Sequence, residues 1–108
     1  MQELSVEQVA GLRRLFALAE SAFRELDDAM GSGLMSDAKS AVFAMMEAAE
    51  ALALPDDVAA ELRRLATLSW QGVTGSGDAY ERTSRAIGAI GDLERVIAPL
   101  LAQHPEDE

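Results

Sequence analysis

Apolar residues recur at alternating intervals of three and four in four separate stretches of the chain. This spacing places them along one face of an α-helix. The stretch at residues 34–54 is the least charged of the four, and its apolar stripe consists of Met35, Ala38, Val42, Met45, Ala49 and Leu52. Because a helix there has little polar surface, we expect the other helices to pack on more than one side of it.

Three further stripes predict three further helices. The first holds Val9, Leu12, Phe16, Ala19, Phe23, Leu26 and Met30, and Leu15, Leu18 and Ala22 widen it toward one side. The third holds Val58, Leu62, Leu65 and Ser69, and the fourth holds Ala79, Thr83, Ala86, Ile90, Leu93, Ile97 and Leu100. With helices at about 5–30, 35–54, 56–70 and 78–102 and short loops between them, the sequence predicts an all-α fold, an antiparallel four-helix bundle.

Residue types at the predicted helix ends support these boundaries. Ser5 followed by Gln8, and Asp78 followed by Glu81, match the capping box of a helix N-terminus. The glycine-rich residues 71–77 are predicted to be a loop between the third and fourth helices. The start of the first helix, the end of the third and the start of the fourth therefore have local signals that are independent of the apolar stripes.

The chain has 108 residues, no cysteine and a net charge of −10. We predict a single helical-bundle domain over residues 1–103 and a disordered acidic tail over residues 104–108. Nucleic acids and anionic membranes are bound by basic patches, so the acidic balance argues against both as partners. No segment matches a signal peptide or a membrane-spanning helix, and we expect a cytoplasmic protein.

Few residues could carry catalysis or hold a metal ion. The one histidine, His104, lies in the predicted tail, so the inward Glu-x-x-His pair of di-iron bundles is absent. Glu94 lies beside the fourth stripe and could pair with Glu47 or Glu50, but no histidine or lysine partner lies nearby in the sequence. We therefore predict no enzymatic activity, no catalytic residue, no cofactor and no metal site.

Bulky apolar residues in and beside the stripe of the predicted helix at residues 34–54 give the best clue to function. Val42, Phe43 and Met46 cannot all face the same helix contact, so Phe43 and Met46 are candidates for an exposed apolar patch, which commonly marks a partner surface. With Glu47 and Glu50 they form the predicted partner-binding set. The leading hypothesis is a non-enzymatic interaction module, an adaptor or oligomerisation domain, that binds another protein or a second copy as a homodimer.

Two features have more than one interpretation. The methionines Met30, Met35, Met45 and Met46 serve either as core filler or as an adaptable binding surface. Gly88 and Gly91 in the fourth helix either allow close approach of the third helix around Trp70 or mark a kink that opens a groove for a partner helix.

The residues Trp70-Gln71-Gly72, followed by Gly75 to Tyr80, resemble the turn of small secreted helical-hairpin proteins that are exported by specialised secretion systems. Those proteins carry a Trp-x-Gly turn between two long helices, so the resemblance implies a turn at this point and an exported protein. Two residues depart from that pattern. Pro55 interrupts the preceding helix, and Ser84 stands where the export signal after Tyr80 would have an acidic residue.

Two other classes of function stay open. An acidic chain suits an inhibitor or immunity-type protein that covers a basic site on a toxin or nuclease, with an affinity that falls steeply with salt. A bundle can also hold a small ligand in an interior cavity, which would need polar groups that converge on the space.

Overall fold

A computed structural model describes residues 4–32, 36–52, 54–75 and 77–103. Its four helices are α1 (Val6–Ser32), α2 (Ser36–Ala51), α3 (Asp56–Thr74) and α4 (Ala79–Ala102). The described residues contain no strand. The all-α prediction is therefore confirmed, with α2 shorter and α3 longer than the stripes indicated.

The helices form a four-cornered, antiparallel bundle. Around it α1 contacts α2, α2 contacts α3, α3 contacts α4, and α4 contacts α1. Three or four residues separate consecutive helices, a length that spans at most about 14 Å. The shortest helix, at about 24 Å, is too long for such a link to run back along it, so neighbouring helices must reverse direction.

The buried face of α2 matches its predicted stripe, because Ala38, Val42, Met45 and Ala49 are all buried. Met35 lies outside the described residues. On α4 the five central stripe residues, from Thr83 to Ile97, are buried as predicted. These two helices supply one half of a core that is filled largely by leucine, isoleucine, valine and alanine.

The predicted face of α1 was partly wrong. Phe23 and Met30 are exposed, whereas the neighbouring Ala22 and Ala29 are buried. Two stripes of the same period share Leu12, Ala19 and Leu26. One continues through Phe23 and Met30 and the other through Ala22 and Ala29, and the structure buries the second, which has the smaller residues. The physical reason is close packing, since small side chains let the helices approach while larger ones cover the edge of the contact.

The two predicted capping boxes have different outcomes. At α1 the Ser5 backbone N–H donates to Gln8 Oε1 at 2.7 Å, and the Gln8 N–H donates to Ser5 Oγ at 3.1 Å. Asp78 occupies the N-cap position of α4, but its side chain makes no capping hydrogen bond. The capping box at Ser5 and Gln8 is confirmed. The one predicted at Asp78 is wrong, because Asp78 stands at the N-cap position without forming the side-chain hydrogen bond.

The loop predicted at residues 71–77 was wrong at its start. Helix α3 continues through Trp70, Gln71 and Gly72 to Thr74, so Trp70 and Gly72 do not form a turn. Gly72 is buried against α4, where an added Cβ would lie 2.8 Å from the Arg82 carbonyl oxygen and 2.9 Å from Ala86 Cβ. The turn implied by the resemblance to the secreted hairpin proteins is therefore absent at these residues. Gly72 is instead the point where two helices approach closely.

The two glycines of α4, Gly88 and Gly91, have open surroundings. A Cβ added at Gly88 or Gly91 would meet no atom within 4 Å, so neither residue allows a close approach of α3. Helix α4 runs unbroken through both residues and through Pro99 to Ala102. The predicted tail at residues 104–108, including His104, lies outside the described residues. Within the described part of the chain, no helix combines the length and the apolarity that crossing a membrane requires.

Candidate functional site

The predicted patch on α2 lies along the contact between α2 and α3. Phe43 is 42% exposed. Its ring lies 5.4 Å from the ring of Trp70 on α3, centroid to centroid, in a tilted arrangement. Trp70 is half-buried, and both rings stand at the edge of the bundle. An aromatic pair in this position has one side packed on the protein and the other side available to a partner.

The rest of the predicted set lies on the same outward part of α2. Met46 is half-buried and packs against the core, whereas Glu47 and Glu50 are exposed. We call Phe43, Met46 and Trp70 the aromatic seam. The prediction that Phe43 faces outward is confirmed, and Met46 stands between the core and the surface. Trp70 was missed as part of the patch because nothing in the sequence pairs it with Phe43.

The other methionines divide between core and surface. Met45 is fully buried, whereas Met30 is partly exposed at the far end of α1. Met35 lies outside the described residues. The described methionines therefore do not form one patch, and only Met46 belongs to the seam.

A groove lies on the α1 side of α2, between α2 and α1. Its volume is about 900 Å³. The lining residues, which define the α1–α2 groove, are Ser5, Glu7, Gln8, Gly11, Arg14, Leu18, Ala44, Glu47, Ala48, Ala51 and Leu52. Sequence reasoning missed this groove, although small residues at intervals of four and three on α2 signal a face that larger side chains leave uncovered.

A smaller pocket of about 260 Å³ lies at the contact between α1 and α4. It is lined by Glu20, Phe23, Arg24 and Glu94. Burial raises the pKa of the Glu94 carboxyl above its ordinary value, and the negative charge of Glu20 raises this pKa further. The i,i+4 pairing of Glu20 with Arg24 that their spacing suggests is not formed as an ion pair in the described structure.

The raised pKa of Glu94 gives a pH-dependent prediction. The folded protein holds the Glu94 proton more tightly than the unfolded chain does, so stability is lost as pH rises through the folded-state pKa. We expect Glu94→Gln to raise the melting temperature at pH 7, and this gain should vanish below the ordinary carboxyl pKa of 4.5.

Glu61→Gln provides a control of opposite sign. A hydrogen bond from Arg64 lowers the pKa of Glu61, so its charged form stabilises the fold. Removing that charge should lower the melting temperature at pH 7. Thermal unfolding followed by circular dichroism at pH 4 and pH 7 compares the variants, and a lower melting temperature for Glu94→Gln at pH 7 would contradict the prediction.

The described residues contain no cluster of three or more histidine, cysteine or carboxylate side chains that could hold a metal ion. Every buried polar side-chain atom among them has a hydrogen-bond partner; for example, Ser69 Oγ donates to the Leu65 carbonyl at 3.0 Å.

Comparisons of the chain with protein-family models, with curated proteins and with solved structures found no match.

Proposed function

We propose that this protein is a non-enzymatic interaction module, an adaptor or oligomerisation domain, and that the aromatic seam is its partner surface. The observation that carries the proposal is the contact between Phe43 and Trp70 at the edge of the bundle. Aromatic residues are enriched among the residues that dominate protein–protein binding, because they bury a large area with little loss of side-chain freedom. The partner is another protein or a second copy of the chain. The predicted cytoplasmic location stays a prediction.

Glu47 and Glu50 add a charged border to this surface. Both are exposed on α2, and neither forms an ion pair with another described residue. An apolar centre with a polar rim is the usual arrangement of a protein interface. A partner that meets the seam should therefore present an apolar centre and, opposite the carboxylates, basic groups.

Two charge substitutions test the proposal. Phe43→Glu and Met46→Glu each place a carboxylate in the centre of the seam, where a partner would have to bury it. If the chain self-associates, we expect light scattering to show a fall from dimer to monomer mass. If it binds another protein, the partner captured from its own cell extract by the wild-type chain should be lost with both variants.

Leu68→Glu is the matched control. Leu68 is 41% exposed, almost the same as Phe43, and it lies one turn before Gly72, on the side of α3 that faces α4. The Leu68→Glu substitution introduces the same charge at a similarly exposed apolar residue away from the seam, so association should persist. Equal behaviour of Phe43→Glu and wild-type chain in both assays, with circular dichroism showing intact helices, would overturn the proposal.

A second candidate, an acidic inhibitor or immunity-type protein, is favoured by the distribution of charge. Helices α1 and α2 together carry eight carboxylates and four basic side chains, whereas α3 and α4 carry six and five. The acidic excess therefore lies mainly on one half of the bundle. An inhibitor that uses this half should bind its basic partner with an affinity that falls steeply between low and high salt, and salt-independent binding would exclude it.

A further inference from the structure

We propose that the α1–α2 groove binds a short amphipathic helix from a basic partner protein. This inference rests on the proposed function as an interaction module and adds a second surface, on the α1 side of α2, which shares Glu47 with the border of the aromatic seam. Three observations support such a helix as the occupant: the shape of the groove, the size of its lining side chains and the charges along it.

The groove has the dimensions of a helix segment. It follows α1 from Glu7 to Leu18 and α2 from Ala44 to Ala51, with Ser5 and Leu52 just beyond the helix ends. At 1.5 Å per residue these walls are about 17 Å and 11 Å long, which corresponds to two to three helical turns. A cylinder with the diameter of a helix takes about 120 Å³ per residue. The groove volume of about 900 Å³ therefore holds roughly two turns.

The α2 wall is built from small side chains. Ala44, Ala48 and Ala51 line the groove from α2, whereas on α1 the Leu52 side chain covers Gly11 and fills the space that a Cβ there would need. Alanine side chains let the axis of an added helix come within the usual 8–10 Å of α2. A helix also suits these walls because it satisfies its own backbone hydrogen bonds, whereas an extended peptide would need backbone partners that helical walls do not offer.

The charges along the groove select a basic partner. Glu7 and Glu47 line it together with Arg14, and none of the three forms an ion pair with another described residue. The two helices that form the walls carry most of the acidic excess of the four helices. A second copy that met the groove with the same acidic helices would place like charges against Glu7 and Glu47, which disfavours it as the occupant of this site. A helix with apolar residues on one face and arginine or lysine at its edges is complementary to this site.

The test uses a defined probe. An acetylated and amidated peptide of about 14 residues, with leucine and alanine on one face and arginine elsewhere, is long enough to form a helix on binding. A second peptide carries glutamate in place of every arginine. Isothermal titration calorimetry with the full chain at low salt should show binding of the arginine peptide and none of the glutamate peptide. Equal affinity for both peptides, or no binding of either, would overturn the proposal.

Variants of the chain then locate the binding site. Ala51→Phe places a ring in the groove at an exposed position, and we expect the dissociation constant to rise by on the order of tenfold or more. Ala60→Phe makes the same change at an exposed position of α3 and should leave the affinity unchanged. Glu7→Lys, at a groove residue that does not border the aromatic seam, should weaken binding more than Asp28→Lys, which alters net charge equally but lies outside the groove. If Ala51→Phe binds the peptide as tightly as the wild-type chain does, the groove is not the site.

The fluorescence of Trp70 separates this proposal from the preceding one. Trp70 contacts Phe43 at the contact between α2 and α3 and does not line the groove, so peptide binding in the groove should leave its emission unchanged. If the emission shifts and Phe43→Glu abolishes peptide binding, the peptide occupies the aromatic seam. That result would overturn the groove proposal while supporting the proposed function.

Discussion

Replacing Gly72 with alanine is expected to lower the free energy of unfolding by about 1–2 kcal/mol. The new Cβ would lie 2.8 Å from the Arg82 carbonyl oxygen and 2.9 Å from Ala86 Cβ, both closer than packed atoms tolerate. The neighbours are backbone and a short side chain, so neither can rotate away and α3 must move off α4. Alanine also favours the helical state by about 1 kcal/mol, which offsets part of this loss.

Gly88→Ala is the matched control for this prediction. It makes the same change within a helix, but no atom lies within 4 Å of the added Cβ. We expect a gain of up to about 1 kcal/mol, because alanine loses less backbone freedom than glycine on folding. Urea unfolding of both variants measures the two changes. A stabilised Gly72→Ala would show that α3 and α4 do not approach each other closely at this residue.

The periodic spacing of apolar residues was enough to predict the helix count and most of the core. On α2 the predicted stripe residues Ala38, Val42, Met45 and Ala49 are all buried. On α1 the spacing left two choices with the same period, and the larger side chains indicated the wrong one. Spacing alone cannot decide between such choices, since the closeness of neighbouring helices determines whether alanine or phenylalanine fits.

Glycine was the least reliable signal in the chain. Gly72 was interpreted as part of a loop, but it lies inside α3 at a helix contact. A glycine that ends a helix and one that permits a close approach are the same residue type in the sequence. Only the position of Arg82 and Ala86 on α4 distinguishes them, and no local pattern specifies that position.

The candidate site could be predicted only where it lies on one helix. Phe43 was singled out because its neighbours already filled the stripe of α2. Its contact with Trp70, the α1–α2 groove and the approach of Glu20 to Glu94 each join two helices. Such contacts depend on the register between helices, which a single sequence does not determine.

Leu62→Ala should have the largest effect among these substitutions, a loss of about 2–5 kcal/mol of unfolding free energy. Leu62 is fully buried in the core, so truncation removes its packing contacts and leaves a cavity. For a domain of this size, with a total stability of roughly 5–10 kcal/mol, this loss is a large fraction of the whole. Urea unfolding followed by circular dichroism measures it directly.

Leu68→Ala makes the same truncation on the same helix at a residue that is 41% exposed. It leaves no enclosed cavity, and we expect a loss below about 1 kcal/mol. The two leucines lie six residues apart, on different sides of α3, so the contrast between them reports which side faces the core. If the two variants unfold at the same urea concentration, α3 does not pack in the orientation described, and the positions of Gly72 and Trp70 on its two flanks would be wrong as well.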